Sequence, residues 1–164
     1  MKNIIICGTV GTGKATISKK LSKEFKLTYL NDWQLFHEMG MSKVPSSKIF
    51  SKIMKEFLKD KEKVVLDLDM SILPKDYVKC GFDLKVYYIG FVSVDVNLLS
   101  QKLYEGDTPN KRLAKKKAKY LIKCGKKLFA QCQKYNLPFY EIKGDKDKAI
   151  KEILQTISND LKGE

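Results

Sequence analysis

Ile4-Ile5-Ile6-Cys7-Gly8-Thr9-Val10-Gly11-Thr12-Gly13-Lys14-Ala15-Thr16 is the stretch on which the fold of this chain turns. Ile4 to Cys7 is a continuous apolar run closed by a glycine, the pattern of a strand buried on both faces. Beyond Lys14, the apolar residues Ile17, Leu21 and Phe25 recur every four positions and form one helical stripe. Between strand and helix stand two glycines five apart and then a lysine, the spacing of a phosphate-binding P-loop. Glycines let such a loop wrap with its N–H groups pointing inward as an anion nest. The following helix adds its unsatisfied N–H groups and the positive end of its dipole. Lys14 reaches the β- and γ-phosphates as a point charge. The candidate nucleotide-binding residues are therefore Gly8, Thr9, Gly11, Thr12, Gly13, Lys14, Ala15 and Thr16. Ala15 stands where many such loops carry a metal-binding hydroxyl, and Thr16 is the next hydroxyl in line, which makes it a candidate metal contact.

Outward from this stretch, short apolar runs alternate with stretches of helical period, which argues for βαβ units and a mostly parallel sheet. Thr28 to Leu30 reads as a second strand ending at Asn31-Asp32. Ser46 to Lys59 reads as a helix, Val64 to Leu68 as a third strand ending in acid, and Pro74 as the start of a short helix that Gly81 closes. Leu84 to Ile89 is a fourth strand and Val94 to Tyr104 returns to helical period. Glu105 to Asn110 is a loop, Lys111 to Tyr135 a long basic helix, Pro138 to Ile142 a fifth strand, and Lys148 to Leu161 a closing helix. Five strands alternating with helices make a three-layer α/β sandwich, and 164 residues make one domain.

The pattern resembles the nucleoside-monophosphate-kinase group of P-loop proteins, which includes adenylate, cytidylate and shikimate kinases. The resemblance covers most of the chain, with the P-loop its specific part. It implies a five-stranded parallel sheet of order 2-3-1-4-5, and an acceptor-binding region that corresponds here to about 31–60. It also implies a lid at about 105–119. By the same resemblance, Asn31-Asp32 falls where the group binds its phosphoryl acceptor, and Asp67 matches the strand-end acid that orients the magnesium hydration shell. Gly144 and Asp145 lie where the group brackets the adenine. Asp67-Leu68-Asp69, with Leu73-Pro74 and Phe82-Asp83-Leu84, is reminiscent of small ribosome-associated adenylate kinases.

Taken with the residue chemistry, this gives ATP with Mg²⁺, and a small phosphoryl acceptor, a nucleotide by preference. Lys14, Arg112, Asp67 and Asp32 are the catalytic candidates, and Asp32, Trp33 and Asp69 the acceptor-binding ones. Thr16 and Asp67 are placed near the metal, and Lys115 and Lys119 are placed beside the phosphates. Asp32 suits a proton acceptor or hydrogen-bonding group for the acceptor, or alternatively an N-cap for a following helix. Trp33 suits stacking on an acceptor ring, or half-buried packing, and His37 a helix surface. Arg112 is the sole arginine among 32 basic residues, whereas phosphoryl clamps favour arginine's planar fork. That scarcity, with Ala15, keeps open a weakly active or non-catalytic nucleotide-binding protein. A net charge of +13 with the run Lys111 to Lys127 keeps open an RNA-associated ATPase, with nucleic acid a secondary partner through the lysine-rich helix. No membrane-spanning run or signal pattern is present. Cys7, Cys80, Cys124 and Cys132 are scattered without metal-ligand spacing, and a reduced cytoplasmic setting is expected.

Overall fold

In the computed structural model, residues 2–43, 45–106 and 108–163 are described. β1 (Ile4–Gly8) is buried along its whole length. It pairs in parallel with β3 (Val64–Leu68) on one side and β4 (Lys85–Gly90) on the other. β2 (Thr28–Asn31) adds to β3 and β5 (Phe139–Glu141) to β4, again in parallel. The five-stranded sheet has the order β2-β3-β1-β4-β5.

Alternation along β1 separates two cores, because successive strand side chains point to opposite faces. Ile4 and Ile6 join Ile17 and Leu21 of α1 (Lys14–Phe25) and Ile153 and Ile157 of α7 (Lys146–Lys162). Ile5 and Cys7 face Phe50 and Met54 of α3 (Ser47–Phe57). The layers are completed by α2 (Asp32–Glu38), α4 (Pro74–Cys80), α5 (Val96–Glu105) and α6 (Lys111–Tyr135). This is the three-layer arrangement expected from the strand and helix periods.

Several element ends differ from the sequence reading by one or two residues, with caps fixing the starts of α5 and α7, while α6 keeps its expected bounds. Asp95, Asn110 and Asp145 each accept backbone N–H bonds at the start of α5, α6 and α7, which satisfies otherwise orphaned donors. The helix that the sequence allows after Asp32, without bounds, is the seven-residue α2. Its N-cap is Asn31, whose side chain accepts from the Gln34 N–H while Gln34 reaches back to the Asn31 N–H, a capping box. The reading of Asp32 as an N-cap is corrected accordingly: Asp32 is the first residue inside the helix.

α6 joins the two cores. Ala118, Leu121 and Ile122 belong to the first and Leu128 and Cys132 to the second. Between them Gly125 lies so close to the chain after β4 that a Cβ there would stand 1.9 Å from the Phe91 carbonyl oxygen. Since that obstacle is backbone, Gly125→Ala is expected to destabilise the fold by at least ~3 kcal/mol. The check is the thermal midpoint, which should fall by about 6–12 °C for a chain of this size.

Candidate active site

The loop predicted to bind phosphate joins β1 to α1. Gly8 is opposite Ile89 in the β1–β4 ladder, and a Cβ on it would come within 1.9 Å of the Ile89 carbonyl oxygen. Gly11 and Gly13 have φ of +82° and +87°, the left-handed region that side chains disfavour. The loop is tied down from inside: Thr9 N–H donates to the Ile89 carbonyl at 3.1 Å, and Thr12 Oγ1 donates to the Thr9 carbonyl at 2.8 Å. Thr12 is fully buried and Thr9 nearly so, and Thr9 Oγ1 has no hydrogen-bond partner among the described residues.

Lys14 opens α1, with Gly13 as N-cap. Only 6% of it is exposed. Its Nζ donates to the Thr9 carbonyl at 3.1 Å and to Asp69 Oδ1 at 2.9 Å. Ala15 and Thr16 follow on the first turn and face solvent. β3 lies beside β1, with Ile6 opposite Asp67, which brings the strand-end acids to the loop.

Three carboxylates converge there. Asp67 accepts from the Tyr29 hydroxyl at 3.2 Å. Asp32 Oδ2 accepts from the Asp69 N–H at 2.7 Å, and the Ser71 hydroxyl lies 3.5 Å from Asp32 Oδ1. Burial pushes the Asp32 carboxyl up to about 6, and the charges of Asp69 and Asp67 act in the same direction. The Asp69 N–H and Lys14 oppose the rise. Burial raises Asp67 as well, with Lys14 opposing. Beneath the loop, Cys7 Sγ donates to the Asp69 carbonyl at 2.8 Å, and burial pushes that thiol up to about 12. It is a structural group and no nucleophile.

The structure thus joins Lys14, Asp69, Asp32 and Asp67 in one hydrogen-bonded and electrostatic cluster. Trp33 stands beside it on α2, 74% exposed, which removes the half-buried packing reading. Its ring stacks on His37 at 5.7 Å. Arg112, Lys115 and Lys119 lie exposed on α6, and no hydrogen bond or ion pair ties them to the cluster among the described residues. Asp107, within the span assigned to a lid, lies outside the described residues. Gly144 has its carbonyl held by Lys102 Nζ at 3.0 Å. Asp145 is engaged as the N-cap of α7, accepting from the Lys148 N–H at 2.8 Å. Two contributors escaped the sequence reading, Tyr29 and Ser71. Strand alternation carried a signal for Tyr29, two residues before Asn31 and so on the same face of β2.

The cradle fits a phosphate chain. Among the described residues it offers a buried Thr9 hydroxyl without a partner, two left-handed glycines, a helix N-terminus and a lysine whose one carboxylate partner is solvent-accessible. Among the described residues no three His, Cys, Asp or Glu side chains gather as a metal-ligand set. Asp67 and Thr16 suit a magnesium ion that takes most of its oxygens from water and nucleotide, as that ion usually does.

The fold is that of the small P-loop kinases. Shikimate kinase from Bacteroides thetaiotaomicron superposes with a TM-score of 0.63 at 14% identity, over 98% of both chains. The YorR protein of Bacillus subtilis, solved in complex with phosphorylated GDP, gives 0.57 at 18% identity over 95% of each chain. A gluconokinase from Sinorhizobium meliloti gives 0.54 at 10% identity, over 98% of this chain and 95% of that one. No protein-family model matches the sequence, and no curated protein is significantly similar to it. Among the described residues no helix is long and apolar enough to cross a membrane.

Proposed function

We propose that this protein is an ATP-dependent phosphotransferase in which residues 1–164 form one P-loop kinase domain. Its acceptor is a small molecule, with a nucleoside monophosphate the favoured class. The observation that carries the reading is the placement of Lys14 Nζ between the loop carbonyl of Thr9 and Asp69, with the Asp32 carboxylate bound to the Asp69 N–H. Loop N–H groups and Lys14 bind the β- and γ-phosphates and hold the charge that develops as the γ-phosphoryl group moves. Asp67 and Thr16 are the residues that would hold magnesium through water. When bound, the metal neutralises phosphate charge.

Asp32, whose carboxyl burial pushes up to about 6, hydrogen-bonds the acceptor and takes the proton where a hydroxyl oxygen attacks. The exposed face of Trp33 offers a flat surface to an acceptor base. The region 105–119 acts as the lid that excludes water, bringing Arg112, Lys115 and Lys119 toward the phosphates. Gly144 and Asp145 border the adenine. The cytoplasm, where ATP is abundant, is the matching compartment.

The solvent exposure of Arg112 favours a second reading, a nucleotide-binding protein without transfer. One experiment separates them: thermal midpoints with nucleoside mono-, di- and triphosphates, followed by γ-labelled ATP against nucleoside monophosphates, shikimate and gluconate. A rise of several degrees with ATP and label on one acceptor supports the kinase. A rise without label on any acceptor leaves the binding protein, and no rise at millimolar ATP removes both.

A further inference from the structure

The net charge of +13 is concentrated on one element. α6 holds ten of the 32 basic residues and none of the 19 acidic ones; without it the chain would carry a net charge of about +3. Elsewhere lysines have acidic neighbours close in sequence, such as Lys59–Glu56 at the end of α3 and Lys148–Glu152 on α7. On α6 no ion pair forms among the described residues, and Lys119, Lys123 and Lys127 follow one another at i,i+4, a spacing at which like charges repel. Nothing in the packing of the helix requires this. Its apolar face, through Ala114, Ala118, Leu121, Leu128 and Cys132, is already spent on the core.

The opposite face carries Lys116, Lys119, Lys123, Lys127 and Lys134, all exposed, with Tyr120 among them at 65% exposure. From Lys116 to Lys134 the stripe runs about 27 Å at ~1.5 Å per residue. A groove of about 1330 Å³ below the N-terminal ends of β1, β3 and β4 is also lined by lysines, but with Glu56, Glu62 and Asp83 interspersed. Helix C-termini, such as that of α4 whose Cys80 carbonyl accepts from Lys55, explain its basic residues.

We propose that the solvent face of α6 binds single-stranded nucleic acid without sequence preference, with the lysines tracking the phosphates and Tyr120 stacking on a base. A basic track with an exposed ring is the combination that single strands use. Burial of the apolar face against the core leaves Leu113 and Tyr120 as its exposed large apolar side chains, too few to enter a bilayer, and the recess of about 390 Å³ beside the stripe, between Thr108, Pro109, Leu113 and Tyr120, is too small to seat a helix. The inference is independent of phosphoryl transfer, since Lys123, Lys127 and Lys134 lie outside the proposed active site.

The test is fluorescence anisotropy of the full chain with a labelled 15-nucleotide uridine RNA and a thymidine DNA of the same length, between 50 and 300 mM KCl. The expected slope of log affinity against log salt is about −3.5 for five phosphate contacts on a single strand. Lys123→Glu/Lys127→Glu/Lys134→Glu should weaken binding at least ~30-fold and flatten the slope by about 2. Tyr120→Ala should weaken it at least ~5-fold with the slope unchanged, which bare charge would not do. The same charge change on α1 and α7, Lys20→Glu/Lys23→Glu/Lys151→Glu, should cost less than ~3-fold. Circular dichroism checks that the variants fold, and the Gln triple at 123, 127 and 134 replaces the Glu triple if that one does not. Preference for RNA or for DNA identifies the natural strand. No binding at 50 mM KCl, equal loss in the α1/α7 triple, or equal competition by polyglutamate or phosphatidylserine vesicles overturns the proposal.

Discussion

Lys14→Ala is expected to lower kcat/KM for phosphoryl transfer by about 10³-fold, roughly 4 kcal/mol of lost transition-state stabilisation. It should also erase the rise in thermal midpoint that ATP produces. The ammonium lies at the loop, nearly buried and held at 2.9 Å by Asp69. Folding should survive, because the Thr9 carbonyl keeps its bond from Thr12 Oγ1 and Asp69, with 55% of its side chain exposed, is hydrated by solvent. Lys14→Arg should not rescue transfer, since a planar guanidinium does not fit the slot of a point charge. The comparison to make is calorimetric ATP titration beside a melting curve for each variant. An unaltered ATP response in a folded Lys14→Ala protein would remove the loop as the nucleotide site.

Asp32→Asn carries the second large effect, and its two consequences run in opposite directions. Transfer to an acceptor hydroxyl should drop by about 10²–10⁴-fold, the usual worth of a positioned proton acceptor. Stability at neutral pH should increase. In the folded protein burial holds the Asp32 carboxyl up to about 6, against an ordinary value of 3.8, so the folded state binds this proton more tightly than the unfolded chain. That contribution is complete below about pH 3.8 and is lost as pH rises through about 6. Above pH 6 the ionised group is therefore a cost. Two pH units correspond to about 3 kcal/mol, and partial exposure of the group reduces this to about 1–2 kcal/mol. Asn keeps an oxygen for the Asp69 N–H and removes the charge. The variant should melt a few degrees above the parent at pH 7.5, with the gap closing toward pH 4. A gap independent of pH would show that the titration of Asp32 is not its source.

The strand–loop–helix core was legible because each part has its own local signal: an apolar run, a glycine spacing and a four-residue stripe. The strand order needed a resemblance, since a parallel sheet's order depends on crossovers that no local pattern records. A helix after Asp32 was legible but its bounds were not, although Asn31-x-x-Gln34 spells the capping box of α2, because a helix with Leu35 as its one buried residue shows no stripe. The ion pair of Lys14 with Asp69 spans 55 positions and exists only through the register that sets β3 against β1. The same holds for the bond from the Asp69 N–H to Asp32. Residue type marked these three acids as candidates, but the cluster they form around Lys14 is a property of the folded strand ends.

The close approach of Gly125 to Phe91 has a mechanical consequence. Backbone against backbone makes a contact that yields little, and Arg112 lies thirteen residues from it along the same helix. At ~1.5 Å per residue that distance is about 20 Å, so a tilt of about 5° at the contact displaces the far end by nearly 2 Å. A shift of α6 at that contact would be carried to the end that holds the single arginine of the sequence.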